Sequence, residues 1–176
     1  MKRFIICTMV LCILALPACT KNASKHEEVS NHKSGQVKEI EVNNTDITLY
    51  YANKDASKLC SELRKVPKSK ATDPQTVLEE LFKGTENEEL VNVIPKETLI
   101  NSCSVQDGVC TVDLSDDFVS ERGTAYEQMS IYSVVNTLCL IDGIDAVQFL
   151  IDGEKLMIFG NYIFDEPFTA DETITE

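Results

Sequence analysis

Apolar residues recur along this chain in short runs whose period changes from segment to segment. Ile47, Leu49 and Tyr51 alternate with Thr48 and Tyr50, the two-residue period of a strand. After Asp73-Pro74 the period becomes helical. Val77, Leu78, Leu81 and Phe82 form one stripe, Asp73 stands as N-cap, Pro74 takes the first helical position, and Gly84 is placed to end the helix. Residues 53–72 are polar and show no apolar period, so they read as a loop.

Two Asp-Gly pairs predict hairpins, because both central positions of a two-residue turn need positive φ. Around Asp107-Gly108, Val105 faces Cys110 and Cys103 faces Val112. Cys103, Val105, Cys110, Val112 and Leu114 then share one face, and Ser102, Ser104, Thr111 and Asp113 the other. Around Asp152-Gly153 the same reasoning pairs Phe149 with Leu156 and Val147 with Ile158, and turns Gln148 and Lys155 to the opposite face. Between the hairpins, Thr124 to Leu140 reads as a helix with two apolar stripes, Met129-Tyr132-Cys139 and Ile131-Val135-Leu138. Two stripes exceed what one sheet contact covers. One of them is therefore expected to stay open, which makes Met129, Ile131, Tyr132, Val135 and Leu138 the candidate interaction surface. The order strand, helix, hairpin, helix, hairpin predicts an α+β fold in two layers, with two helices covering a mixed sheet.

Charge narrows the function. The 176 residues carry 16 Lys+Arg against 29 Asp+Glu, a net charge of −13. Binding a phosphate backbone needs clustered cations, so nucleic acid is excluded as a partner, and attraction to anionic lipid is disfavoured. Both histidines, His26 and His32, lie in the polar N-terminal stretch, which leaves the folded part without His for Ser-His-Asp, Cys-His or His-metal chemistry.

That stretch follows a targeting segment. Lys2 and Arg3 precede an apolar run from Phe4 to Leu16, shorter than the roughly 20 residues a membrane-spanning helix needs. It ends Leu16-Pro17-Ala18-Cys19, which resembles the lipobox of bacterial lipoproteins. The resemblance implies cleavage after Ala18 and a lipid on Cys19, holding the protein on the outer face of the cytoplasmic membrane. Losing Lys2 and Arg3 makes the exported chain more negative still, so the lipid, not charge, would hold it there. Residues 1–18 are then the signal peptide and 19–43 the lipidated Cys with a disordered tether. Residues 44–168 form the domain, and 169–176 an acidic tail expected to fray.

Within the domain, Leu81-Phe82-Lys83-Gly84 is followed by Ile94-Pro95-Lys96-Glu97-Thr98, then by Asp107 through Ser115 with Phe118. Next come Val135-Asn136-Thr137-Leu138, and then Val147 to Ile151 with Asp152-Gly153. In this order and spacing they resemble the GerM domain, a sporulation and spore germination domain, from about Asp46 to Pro167. The chain departs from the pattern at Thr85, where many members have Pro. The family's core is similar to the ring-building motif, an α-β-β-α-β unit of envelope assembly proteins, and that order runs here from Pro74 to Ile151. The resemblance implies a lipid-anchored envelope protein that binds other envelope proteins or itself, with no catalysis and no cofactor. Two alternatives stand beside it: a small-ligand-binding lipoprotein with a pocket between helix and sheet, and an enzyme acting on the cell wall.

Other clusters read as structural. Asp113, Asp116, Asp117 and Glu121 offer oxygens for Ca²⁺ but lack the Gly and terminal Glu of an EF-hand loop. Ser115 and Ser130 have no candidate base except Lys or Asp. Asn136, inside an apolar helix, is expected to bond nearby backbone. Cys60, Cys103, Cys110 and Cys139 remain after processing and are too unevenly spaced for zinc. Cys103 and Cys110 fall on a diagonal, where Cβ atoms lie about 7 Å apart. A disulfide needs about 3.8 Å, so both are expected as free, buried thiols.

Overall fold

A computed structural model of the chain describes residues 43–120, 123–155 and 157–176, all within the unit Ile40–Glu176. The expected signal peptide, tether, cleavage residue Ala18, lipidated Cys19 and both histidines lie outside the described residues.

Strand β1 (Asn44–Asn53) pairs antiparallel with β2 (Leu59–Pro67), in register from Asn44↔Pro67 to Ala52↔Leu59. β2 occupies the segment expected to be a loop. Its inward positions include Glu62 and Arg64 beside Val66, so no apolar alternation marks it. Arg64 is buried because Nη2 bonds Glu62 at 2.7 Å and the Gly84 carbonyl at 2.9 Å. On its other edge, β1 is paired only at Ala52 and Asn53, with β3 (Leu90–Val91). A helix replaces the strand further along. The Thr137 hydroxyl oxygen accepts from Tyr50 N–H at 3.0 Å, and the Ser133 hydroxyl donates to the Tyr50 carbonyl.

Helix α1 (Pro74–Phe82) begins at Asp73 and ends before Gly84 at φ +90°. A helix leaves its last carbonyls without partners. Here the Tyr51 hydroxyl donates to Leu81 O at 3.1 Å and Gly84 O at 3.0 Å, and the Arg64 cation adds its bond to Gly84 O. A cation at this end also suits the helix dipole. Burial pushes the Tyr51 hydroxyl up to about 12, although Arg64 pulls the other way.

Strands β4 (Ile100–Gln106) and β5 (Val109–Leu114) form the first hairpin in the predicted register, Cys103↔Val112 and Val105↔Cys110. Asp107 and Gly108 take φ +51° and +81°, as a two-residue turn requires. Helix α2 (Thr124–Leu138) then carries the chain across to β6 (Ala146–Ile151), which pairs parallel with β5 from Val109↔Ala146 to Leu114↔Ile151. Parallel neighbours need such a crossover. The fold is α+β as expected. Its strands, however, form two three-stranded sheets, β2-β1-β3 and the mixed β4-β5-β6, together with a separate two-stranded hairpin. No helix among the described residues is long and apolar enough to cross a membrane.

The second hairpin differs from expectation. Asp152-Gly153 does turn the chain, at φ +50° and +81°, but among the described residues only Ile151 and Glu154 pair beyond it, and Leu156, expected opposite Phe149, lies outside them. The free edge of β6 is taken by Phe168, which exchanges two 2.8 Å bonds with Val147. Ile158 therefore does not face Val147. β7 (Ile158–Phe159) pairs instead with β8 (Tyr162–Ile163). Aromatic packing explains the change. Phe149 lies 5.3 Å from Phe164, 5.6 Å from Phe118 and 5.7 Å from Phe168, ring centre to ring centre. Burying Phe164 and Phe168 outweighs a few more hairpin pairs. It also covers the second face of β6. Gln148, expected toward solvent, is buried there and donates to Phe164 O at 2.8 Å and Phe149 O at 3.1 Å.

Both stripes of α2 are covered, which corrects the expected open one. Ile131, Val135 and Leu138 are fully buried in the main core, and Met129 is buried in a satellite core with Ala52, Ala56, Leu59 and Val93. Tyr132 is half-buried, edge-on to Tyr162 and Phe168. The helix packs on β1, α1 and β6, so its width is matched by contacts on more than one side. The tail is docked rather than frayed. Thr175 bridges to Leu59, Lys58 Nζ donates to Thr173 O at 2.6 Å, and Glu176 N–H donates to Leu59 O at 2.9 Å. Asn136 does bond backbone, as expected, and its partner is this tail: Nδ2 donates to Asp171 O at 2.9 Å and Oδ1 accepts from Asp171 N–H at 3.0 Å.

Candidate interaction surface

With α2 enclosed, an open apolar surface among the described residues lies on the β7–β8 hairpin, while Leu63, Leu99 and Leu140 are exposed elsewhere. Gly160 and Asn161 make its turn, and the register sets Ile158 opposite Ile163 and Phe159 opposite Tyr162. Alternation along a strand sends successive side chains to opposite faces. Phe159 goes inward, fully in the core, with its ring 5.8 Å from Phe164 and 6.2 Å from Phe118. Tyr162 is half-buried against Tyr132. Ile158 and Ile163 go outward and are 63% and 65% exposed, with Met157 beside them at 64%. The ladder continues there, since Met157 O accepts from Phe164 N–H at 3.0 Å. Two large apolar side chains on one face of a hairpin backed by an aromatic core, with Met157 exposed at its start, suit contact with another protein.

A groove of about 520 Å³ runs beneath this hairpin, lined by Val119, Gly123, Thr124, Glu127, Ile158 and Gly160 among others. Glu127, in the first turn of α2, is buried under the turn. A side chain at Gly160 would push this carboxylate aside, and the φ of +58° there also favours glycine. The hairpin was visible in the sequence as Ile158-Phe159-Gly160-Asn161-Tyr162-Ile163, two apolar pairs around a Gly-Asn turn. The stronger Asp152-Gly153 signal had already claimed Ile158 for a different ladder.

The remaining predicted groups are occupied locally. Ser115 Oγ accepts from Leu99 N–H at 3.0 Å and donates to Asp117 at 3.3 Å, while Ser130 Oγ donates to Glu127 O at 2.9 Å. Asp113 accepts from Gly153 N–H at 2.9 Å. Glu121 lies outside the described residues, and among those described no three His, Cys, Asp or Glu are grouped to hold a metal ion. Cys103 and Cys110 are free and diagonal. Their sulfurs nevertheless approach to 3.4 Å, because strand twist draws one diagonal of a hairpin together.

The pattern is that of a known domain. Residues 48–157 match the Germane family, described as sporulation and spore germination. The chain belongs to the Germane family. It is a family of sporulation and germination domains, not a known enzyme family. Solved structures show the same fold. The first GerMN domain of the sporulation protein GerM from Bacillus subtilis is similar at a TM-score of 0.59 and 24% identity, over 73% of this chain and 98% of that one. The tandem GerMN domains of GerM are similar at a TM-score of 0.64 and 19% identity, over 82% of this chain and 51% of that one. A candidate lipoprotein from Clostridium perfringens is similar at a TM-score of 0.53 and 21% identity, over 73% of this chain and 89% of that one. No curated protein matches the chain. The Germane match takes in β4, β5, α2 and β6, and it stops at Met157 where the open hairpin begins.

Proposed function

We propose that this chain is a lipid-anchored envelope protein whose Germane domain acts as a protein-interaction module in sporulation or spore germination. The observation that carries the reading is the open Ile158–Ile163 pair on a hairpin fixed to the core by Phe159. Membership in a sporulation and germination family supports the setting. Leu16-Pro17-Ala18-Cys19, and the likeness to a candidate lipoprotein, support the anchor. The excess of acidic residues leaves lipid on Cys19 as the tie to the membrane.

The test separates surface from fold. Ile158→Asp with Ile163→Asp sets like charges directly opposite and should lower stability by about 1 kcal/mol while leaving cooperative unfolding intact. In cells the same variant should reproduce the phenotype of deleting the chain and lose its crosslinks to envelope proteins. Cys19→Ala should move the protein out of the membrane fraction. A double-Asp variant that keeps every crosslink and a normal phenotype would remove the hairpin from this role. A Cys19→Ala variant that stays fully membrane-bound would remove the lipid.

A further inference from the structure

We propose that Cys103 and Cys110 are an oxidisable dithiol, a modification site that takes up a disulfide from a thiol–disulfide reagent and closes reversibly across the β4–β5 hairpin. Three observations meet here, none of which depends on the interaction surface above.

The first is distance. The sulfurs lie 3.4 Å apart, and a disulfide bond is about 2.05 Å. The sulfurs therefore have to close by about 1.4 Å, and the β-carbons must draw in from the roughly 7 Å of a hairpin diagonal toward about 3.8 Å, which takes movement of β4.

The second is mechanical freedom. β4 is an edge strand, bonded to β5 on one side only. Its ladder already slips between Ile100 and Ser102, immediately before Cys103. An edge strand beside a bulge can move toward its neighbour without breaking a second ladder. The sheet face also opens toward the turn. Cys110 is fully buried, Cys103 is half-buried, and Val105 beyond it is 44% exposed. A reagent entering from the turn meets Cys103 first.

The third is asymmetry. The hydrogen bond with Cys110 holds the Cys103 thiol below its usual range, against burial and the nearby Asp73 carboxylate. The same bond, with burial and the neighbouring Cys139, pushes Cys110 up. One sulfur is therefore prepared to attack while the other keeps its proton, the division of roles that a dithiol exchange needs.

The chemistry balances with a disulfide as the oxidant. The Cys103 thiolate attacks one sulfur of the reagent and displaces the other as a thiolate, leaving a mixed disulfide. Cys110 then loses its proton and attacks Cys103 Sγ. The Cys103–Cys110 bond forms, the bond to the reagent breaks, and the second reagent thiolate departs. The two protons given up by the protein go to the two departing thiolates. The protein loses two electrons and the reagent gains them.

The experiment uses the full chain, reduced and native, equilibrated with oxidised glutathione. Acid quenching, alkylation and peptide mass mapping then locate the bonds. A linked Cys103–Cys110 pair is expected, with Cys60 and Cys139 still alkylatable, and reduced glutathione should reopen it. Cys110→Ser should instead accumulate glutathione on Cys103. Cys103→Ser should react at Cys110 at least tenfold more slowly than the native pair closes. Should that last variant fail to fold, the native mapping and the Cys110→Ser adduct still decide. The proposal is overturned if the native protein keeps both thiols alkylatable, if the bridge involves Cys139 or Cys60, or if reduced glutathione does not reopen it.

Discussion

Tyr51 shows how one side chain can serve two parts of the fold. Its ring lies in the core between sheet and helix, while its hydroxyl caps the C-terminus of α1 through Leu81 O and Gly84 O. Tyr51→Phe keeps the ring and removes one donor from two carbonyls that retain another, Leu81 O from Gly84 N–H and Gly84 O from Arg64, so it should cost about 0.5–1.5 kcal/mol in a denaturant titration. The hydroxyl's upward shift to about 12 gives this a pH signature. A folded-state value above the ordinary one of about 10 means that the stabilisation is complete below about pH 10. It is then lost as pH rises through about 12. Tyr51→Phe should flatten that part of the stability profile. Gln148 offers a second test at this scale. Gln148→Ala leaves the Phe164 carbonyl without its donor and should cost about 1–3 kcal/mol, against about 3–5 kcal/mol for Phe149→Ala. A Gln148→Ala variant as stable as the parent would return that side chain to solvent.

Among the elements, α2 decides most. Its Ser133 and Thr137 bond the β1 backbone where no strand does, and its apolar residues fill two cores. Ile131→Asp places a charge where nothing can pair it, a cost of several kcal/mol. Loss of cooperative unfolding by circular dichroism is the expected readout, in contrast to the tolerated Ile158→Asp. Local signals were legible wherever a turn or cap specified them. Asp73-Pro74, Gly84 and Asp107-Gly108 each gave an element its place and, for the hairpin, its register. β2 was not legible, because its inward face carries Glu62 and Arg64, which are buried only because they pair with each other and with helix carbonyls. Nor was the cover over α2, since two stripes on one helix look the same whether a partner or the rest of the domain fills the second.

At the scale of the molecule, the C-terminal segment is a structural member. Asp171 satisfies both polar ends of the Asn136 amide, and Thr173, Thr175 and Glu176 join the β1–β2 turn. Ending the chain at Phe168 should cost about 1–3 kcal/mol for the buried amide left unpaired, read as a lower denaturant midpoint. Composition alone made this segment look dispensable. Three acidic residues in its eight hid backbone contacts that no side-chain pattern reports.

The crossover from β5 through α2 to β6 also sets a clock. Hairpins between adjacent strands close early in folding, because their loops are short. β1–β2 and β4–β5 are of that kind. The parallel pairing of β5 with β6 is not, because it must wait for the whole of α2 and then close a much longer loop. Until Phe164 and Phe168 arrive, β6 has one bare edge and one bare apolar face, a surface that favours sticking to other chains. A chain that ends shortly after Ile151 should therefore be the form most prone to aggregate, and turbidity on refolding should fall once the chain extends through Phe168.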